Sequence, residues 1–351
     1  MAVTRSISVG VIGASGYTGA ELLRLAAQHP NFEIRLATGD SMAGRRAADL
    51  YPSLALAYPD LTYERFDRSA VEGLDLVFLG LPHEVSMELV PQLVGEVGCV
   101  VDLSAAFRIK DAAAYPAFYG FEHTQPELLA EAVFGLPELH RTELKGARLV
   151  ATPGCHVTTA TLALRPLVAA GLVSPSGIIV DTMTGITGAG RSPTDRNVFA
   201  HIDSNVAAYG LHNHRHTPEM EQEIGAQVLF TPHLVPMSRG LLATAYARPT
   251  ASADATANSG VTTESLRNAL RGFYDDAPFV AVTESPPETK SVLGSNGVHV
   301  SASHDERTNT VIAMAALDNL TKGASGGAVH AANIALGLDE TAGLAMVGLQ
   351  P

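Results

Sequence analysis

The sequence predicts an α/β protein, a doubly wound parallel sheet joined to an α+β domain with a mixed sheet, and three observations carry that reading. An apolar run at the chain start stops at a glycine turn and passes into a helical pattern. Strand and helix patterns then alternate through the first half of the chain, as a parallel sheet requires. The second half has several strand patterns with few helices between them.

In order, Ile7 to Ile12 (ISVGVI) reads as a β-strand, and Gly16 to Gln28 carries Leu22, Leu23, Leu25 and Ala26 at helical spacing. Phe32 to Ala37 alternates as a second strand. Leu74 to Leu79 and Cys99 to Leu103 are apolar throughout, as expected of strands buried on both faces, and Glu84 to Val94 is the helix between them. Further on, Gly177 to Met183, Ala226 to Phe230, Leu241 to Tyr246, Val280 to Val282 and Gly297 to Ser303 read as strands. The Ala-, Ser- and Thr-rich stretch from Thr250 to Gly260 reads as a surface loop before a helix at Thr263 to Tyr274. A last helix over Ala328 to Leu336 leads into a tail too short for a domain of its own.

The 351 residues suit two domains at roughly 150 residues each. Expected boundaries are 1–154 for a Rossmann-like nucleotide-binding domain rejoined by 327–351, and 155–326 for a catalytic and oligomerisation domain. With 46% hydrophobic residues the chain has material for both cores. Neither a membrane-spanning run of ~18 apolar residues nor a signal-peptide pattern is present, so a cytoplasmic protein is expected. A formal charge of −13, with no basic run longer than Arg45-Arg46, argues against nucleic acid and anionic membranes as partners. Two cysteines, Cys99 and Cys155, fit a reducing compartment better than a disulfide framework.

The turn Gly13-Ala14-Ser15-Gly16-Tyr17-Thr18-Gly19 links the first strand to the first helix, where bare backbone can approach a pyrophosphate at the helix N-terminus. Where an NAD site carries an acid after the second strand, this chain has Thr38, Gly39, Asp40 and Ser41. Thr38, Ser41 and Arg45 suit a 2′-phosphate and favour NADP, whereas Asp40 would repel it.

Cys155 follows Thr152-Pro153-Gly154 at the start of a helical stretch, His156 to Ala170, and partial positive charge at a helix N-terminus favours thiolate. Cys99, inside an apolar strand, reads as a buried bystander. His212, His214 and His216 alternate and on a strand would share one face, which leaves a zinc-dependent hydrolase as an alternative. Thr217-Pro218-Glu219 reads as a helix start with Thr217 as N-cap and Pro218 at the first helical position. His216 then stands just before a positive dipole end, which favours the neutral imidazole that acid/base chemistry uses.

Taken together these segments resemble the N-acetyl-gamma-glutamyl-phosphate reductase family, related to the aspartate-semialdehyde dehydrogenases. Leu81-Pro82-His83, Gly135-Leu136-Pro137-Glu138, Pro153-Gly154-Cys155, Gly188-Ala189-Gly190-Arg191, His214-Arg215-His216-Thr217-Pro218-Glu219, Thr231 to Gly240, Gly294-Ser295-Asn296 and Asp318 to Gly323 carry the likeness nearly end to end. The resemblance implies that Cys155 is the nucleophile and His216 the acid/base. It implies NADP(H) contacts from Gly13, Ser15, Gly16, Tyr17, Thr18, Gly19, Thr38, Ser41, Arg45, Pro82, His83 and Ser104, and no metal. It further implies a small acyl-phosphate substrate, held by arginines drawn from Arg108, Arg191 and Arg215, and a homodimer or homotetramer.

Two positions depart from the family pattern: His156 stands where an aromatic or aliphatic residue is usual, and Ala106 where an acid precedes Phe107-Arg108. His156 is expected either to pair with Cys155 or to face solvent. The expected reaction is attack of the Cys155 thiolate on an acyl phosphate and reduction of the resulting thioester by NADPH. The alternatives are a reductase of another acyl phosphate such as N-acetyl-aminoadipyl phosphate and a non-catalytic NADP-binding sensor.

Overall fold

The computed structural model describes residues 5–250 and 260–351. The chain divides into two compact units, Met1–Pro153 with Ala324–Leu344, and Gly154–Gly323 with Ala345–Pro351.

The first unit is built on β1 (Ile7–Ile12), β2 (Phe32–Ala37), β3 (Leu76–Leu79), β4 (Cys99–Asp102), β5 (Val133–Phe134) and β6 (Leu149–Ala151). They form one sheet in the order β2-β1-β3-β4-β6-β5, and every pairing is parallel. β3 and β4 are buried at every position, because a parallel sheet with helical crossovers is covered on both faces. The chain leaves β1 for β2 on one side and later reaches β3 on the other. That reversal opens a crevice at the carboxyl end of β1, where the glycine turn lies.

The helix Gly326–Ala335 is buried at every residue, and apart from His330 and Asn333, whose side chains are hydrogen-bonded, its sequence is small and apolar, as an enclosed helix requires. Polar contacts fix it to the rest of the first unit: Ser325 Oγ donates to the Thr18 carbonyl at 2.8 Å, Gly146 N donates to the Ala335 carbonyl at 3.1 Å, and His29 Nε2 lies 3.0 Å from Asn333 Oδ1. Only the segment to Leu344 belongs here. The tail Ala345–Pro351 lies with the second unit, not with the first as the sequence reading has it, and Leu349 N donates to the Leu293 carbonyl at 2.8 Å.

The second unit carries β7 (Ile178–Thr184), β8 (Ala207–Ala208), β9 (Val228–Leu234), β10 (Leu241–Ala247), β11 (Val280–Val282), β12 (Val298–Asp305) and β13 (Thr310–Leu317). Their order is β11-β12-β13-β10-β7-β9-β8, with parallel pairs at β11/β12 and β7/β9 and antiparallel pairs elsewhere. The mixed sheet agrees with the expected α+β domain. One of its faces buries Val180, Ala243, Ala245, Val300, Ala313 and Ala315. Small residues dominate that set because the helix Cys155–Ala169 lies close against β10, β12 and β13, while Thr263–Phe273 covers β12 and β11. The opposite face exposes Ile179, Met183, Leu229 and Tyr246, and the register sets Leu229, Ile179 and Tyr246 in one cross-strand row.

β13, an interior strand between β12 and β10, is absent from the strand expectations, as are β5, β6 and β8. Most of the expected Thr250 to Gly260 loop, residues 251–259, lies outside the described residues.

Candidate active site

In the first unit Gly13 has φ +84°, and a Cβ there would stand 2.4 Å from the Gly80 carbonyl oxygen; at Gly19 a Cβ would stand 2.4 Å from Ala14 Cα. Both are glycine because backbone packs on backbone. Gly16 differs: a Cβ there would meet only the Gly13 carbonyl oxygen, at 3.6 Å, so its backbone N-terminal to the helix Tyr17–Ala26 faces open space. This is the bare cradle that a pyrophosphate at a helix N-terminus needs. Beside it lies a cavity of about 220 Å³ lined by Gly13, Thr38, Gly39, Asp40, Leu81 and Val85, among others. The residues present therefore fit a dinucleotide.

Not every expected contact is open to it. Thr38 is buried, and its hydroxyl accepts from Gly13 N at 3.3 Å, which ties the turn to β2. Ser104 is buried, donates to Asp102 Oδ2 at 2.7 Å and accepts from Ala106 N at 3.1 Å. Ser41 and Arg45 are exposed. Pro82 caps the helix His83–Leu93, and His83 Nδ1 accepts from Ala105 N at 3.0 Å. Arg108 is buried and donates to the Leu103 carbonyl at 2.8 Å.

In the second unit Cys155 is the first residue of the helix Cys155–Ala169, with Gly154 as N-cap, so its thiol stands at the positive end of a helix dipole. It is partly accessible, whereas Cys99 is buried and its thiol is pushed up to about 12 by desolvation, which makes it inert. His216 is itself the N-cap of the helix Thr217–Ile224, one residue earlier than the sequence reading places the cap. Pro218 then occupies the second position, and Gly225 at φ +75° closes the helix. The His216 ring rests on Gly154: a Cβ at Gly154 would stand 2.2 Å from His216 Nε2. Glu219, fully buried, accepts from Gly154 N at 3.2 Å and ties the two helix starts together. Sequence reasoning passed over Glu219 as a functional residue, although an acid in a first turn beside such a histidine is a visible signal.

His214 and His156 complete a cluster of rings, with centroid separations of 4.8 Å for His214–His216 and 5.5 Å from His156 to each of the others. His212 is elsewhere. Residues 211–216 form turns and not a strand, and His212 has φ +70° and is exposed, so the expected alternation on one face is not realised. His156 neither faces solvent nor spends its nitrogens on Cys155. It is buried, with Nδ1 2.8 Å from Thr182 Oγ1 and Nε2 2.9 Å from Tyr209 Oη.

His156, His214 and His216 offer nitrogens within 4.8 Å of one another, which raises the question of a metal. Their hydrogen bonds answer against one. Both nitrogens of His156 are engaged, and His214 Nδ1 accepts from His216 N at 3.1 Å, so a cation would have to break bonds at two of its three ligands. Burial, with His214 beside it, pushes His156 down to about 3. Burial and the Arg215 guanidinium push His214 down to about 4. Both rings are neutral at physiological pH.

A cavity of about 650 Å³ opens on this cluster, lined by Cys155, Tyr209, Arg215 and His216, with Arg196 and His201 on a further wall. Two arginines and four histidines line it and no carboxylate does, in a chain whose formal charge is −13. Such a lining selects an anion. Of the three arginines expected to hold substrate, Arg215 lines this cavity and Arg191 does not. Arg196 had no motif to mark it.

Residues 8–147 match the family described as semialdehyde dehydrogenase, NAD binding domain, and residues 155–319 match semialdehyde dehydrogenase, dimerisation domain. Among curated relatives, an N-acetyl-gamma-glutamyl-phosphate reductase of Syntrophobacter fumaroxidans is 44% identical, over 98% of this chain and 100% of its own. One of Magnetococcus marinus is 42% identical over 99% of both chains. Among solved structures, aspartate semialdehyde dehydrogenase II from Vibrio cholerae, complexed with ASA, superposes with a TM-score of 0.68 at 16% identity, over 95% of this chain and 98% of that one. Aspartate semialdehyde dehydrogenase with NADP from Candida albicans does so with a TM-score of 0.68 at 18% identity, over 94% and 98%. These structures establish the fold.

Proposed function

Since the chain belongs to the N-acetyl-gamma-glutamyl-phosphate reductase family, we propose that it reduces N-acetyl-gamma-glutamyl phosphate to N-acetylglutamate 5-semialdehyde with NADPH, releasing phosphate, through a thioester on Cys155. The observation that carries the reading is the meeting of two helix starts, with the Cys155 thiol on one and the His216 imidazole on the other, at an acid-free cavity.

The Cys155 thiolate attacks the acyl carbon, the new C–S bond replaces the C–O bond to phosphate, and phosphate leaves. When bound, NADPH supplies the hydride that reduces the thioester carbonyl. His216 is placed to take the Cys155 thiol proton as the thiolate forms, to give that proton to the oxygen as charge develops there, and to take it back as the thiohemiacetal collapses to aldehyde and free thiolate. Glu219 holds the Gly154 backbone, and with it the thiol, in register with the His216 helix. Arg215 and Arg196 would bind the substrate's anionic groups. On the first unit, Gly13, Gly16 and Gly19 with Ser15, Tyr17 and Thr18 would hold the cofactor's pyrophosphate, and Ser41 and Arg45 its 2′-phosphate.

We further read the assembly as a homodimer formed by the exposed face of the mixed sheet, which the match to a dimerisation domain supports. A reducing cytoplasmic setting suits the enzyme, whose two cysteines are both free thiols.

The test is NADP reduction by N-acetylglutamate 5-semialdehyde, with and without inorganic phosphate and with NAD and an aminoadipate-derived semialdehyde in parallel. Phosphate-dependent reduction of NADP is expected. Absence of turnover in protein that binds NADPH and alkylates at Cys155 would overturn the substrate assignment.

A further inference from the structure

We propose that His156 is a positioning residue: bonded to Thr182 on one side and Tyr209 on the other, it holds the Tyr209 hydroxyl toward the acyl group on Cys155 as a hydrogen-bond donor. The inference rests on the reading of Cys155 given above.

His156 is the second residue of the Cys155 helix, 3% exposed, and packs at 5.5 Å between centroids against Phe230. A hydrocarbon ring would fill that volume at no polar cost, whereas a buried imidazole must have both nitrogens satisfied. They are, by two hydroxyls from distant parts of the chain: Thr182 on β7 at 2.8 Å and Tyr209 at 2.9 Å. Thr182 is wholly buried, and its backbone carbonyl lies 3.3 Å from His233 Nδ1, so this side of the arrangement is anchored in the sheet. Tyr209 is not anchored in that way. It follows the two-residue strand β8 in an exposed stretch, its backbone N–H donates to the Pro232 carbonyl at 3.1 Å, and its side chain lines the 650 Å³ cavity with Cys155. Among the described residues, the bond to His156 is the only hydrogen bond of the Tyr209 hydroxyl to protein.

A neutral imidazole has one N–H, so it donates at one nitrogen and accepts at the other. With the proton on Nε2, His156 donates to the Tyr209 oxygen and accepts the Thr182 hydroxyl proton at Nδ1. The Tyr209 O–H is then released to point into the cavity. With the proton on Nδ1, the Tyr209 hydroxyl is turned inward and lost to the substrate. An oxygen acceptor beside Cys155 selects the first arrangement, and the row Thr182, His156, Tyr209, acyl oxygen becomes a single donor chain with no change in net charge. Burial and the neighbouring Cys155 push the phenol up, which keeps it a donor throughout. Donors aimed at a developing oxyanion contribute most in the transition state.

The experiment is a set of variants in the full-length enzyme, assayed for NADP reduction with phosphate. Gln at position 156 places an amide where Nε2 stands and retains the bond to Tyr209; Asn places one where Nδ1 stands and retains only the bond to Thr182. His156→Gln is expected within about threefold of wild-type kcat, and His156→Asn and Tyr209→Phe each to lose about ten- to a hundredfold, with KM for NADP unchanged. The double variant His156→Asn/Tyr209→Phe is expected to lose no more than either single one, because both remove the same donor. Multiplying losses, equal loss in the Gln and Asn variants, or wild-type kcat in Tyr209→Phe would each overturn the proposal. Tyr209→Phe removes one oxygen at the cavity wall, so it reads the question even where a position-156 variant fails to fold. Turnover by Cys155→Ala would show separately that the covalent reading had failed.

Discussion

Gly154→Ala tests the active-site geometry with a single added methyl group. Gly154 has φ −68° and ψ 149°, values alanine adopts freely, so the helix keeps its N-cap and the backbone is not strained. What changes is the space occupied by the His216 ring. The new Cβ would stand 2.2 Å from Nε2, 2.4 Å from Cε1 and 2.7 Å from Cδ2, against an ordinary contact of about 3.5 Å. The ring must retreat by about 1 Å, and a displacement of that size at a reacting group costs on the order of a hundredfold in rate, or about 2.7 kcal/mol of transition-state stabilisation. The assay is phosphate-dependent NADP reduction, with alkylation of Cys155 by iodoacetamide and thermal unfolding measured alongside. The expected result is kcat about a hundredfold down in protein that still unfolds cooperatively and still alkylates. A folded variant with kcat within twofold of wild type would refute the placement of His216 as acid/base.

Cys155→Ala should abolish turnover while NADPH binding, followed by nucleotide fluorescence, stays within about twofold, since the thiol serves the chemistry and not the glycine turn. His156 is held down at about 3 by burial, whereas in the unfolded chain it takes up a proton near pH 6.5. Its stabilising contribution is therefore present above pH 6.5 and lost as pH falls. It amounts to a loss of about 2 kcal/mol by pH 5, and His156→Phe should flatten the decline of Tm between pH 6.5 and 5. Ile179→Asp with Tyr246→Glu, on the exposed sheet face, should convert the sedimenting species from dimer to monomer without unfolding the second unit. Gly13→Ala should weaken NADP(H) binding at least tenfold, because φ +84° and the Gly80 carbonyl oxygen at 2.4 Å leave no room for a Cβ.

What could be read in the sequence follows the range of each signal. β2 and β11 have the bounds their alternation predicts, and the start of the Cys155 helix falls within one residue of the expectation, because period and caps are local properties. β13 escaped because Ala313, Ala315 and Ala316 give Thr310–Leu317 little β propensity; its place in the sheet comes from pairing with β10 and β12 on either side. The position of Cys155 at a helix start was legible for the same local reason. The partners of His156 were not, since Thr182 and Tyr209 lie 26 and 53 residues further along the chain and meet it only through the fold. Arg196 was equally hidden, as wall position in a cavity has no linear pattern.

The glycine that ends the long stretch of the second unit, Gly323, would have its Cβ 2.8 Å from that of Cys155, the second residue of the same stretch. Residues 154–323 thus begin and end at one point, and that point is the thiol proposed as the nucleophile. A segment with touching ends is a cassette: it can be inserted into a surface turn of another host, or lost from one, at almost no cost in loop closure. Cys155 and His216, the pair proposed to do the chemistry, travel inside it. Chemistry and cofactor preference can on this account be inherited separately, the one with the cassette and the other with the host.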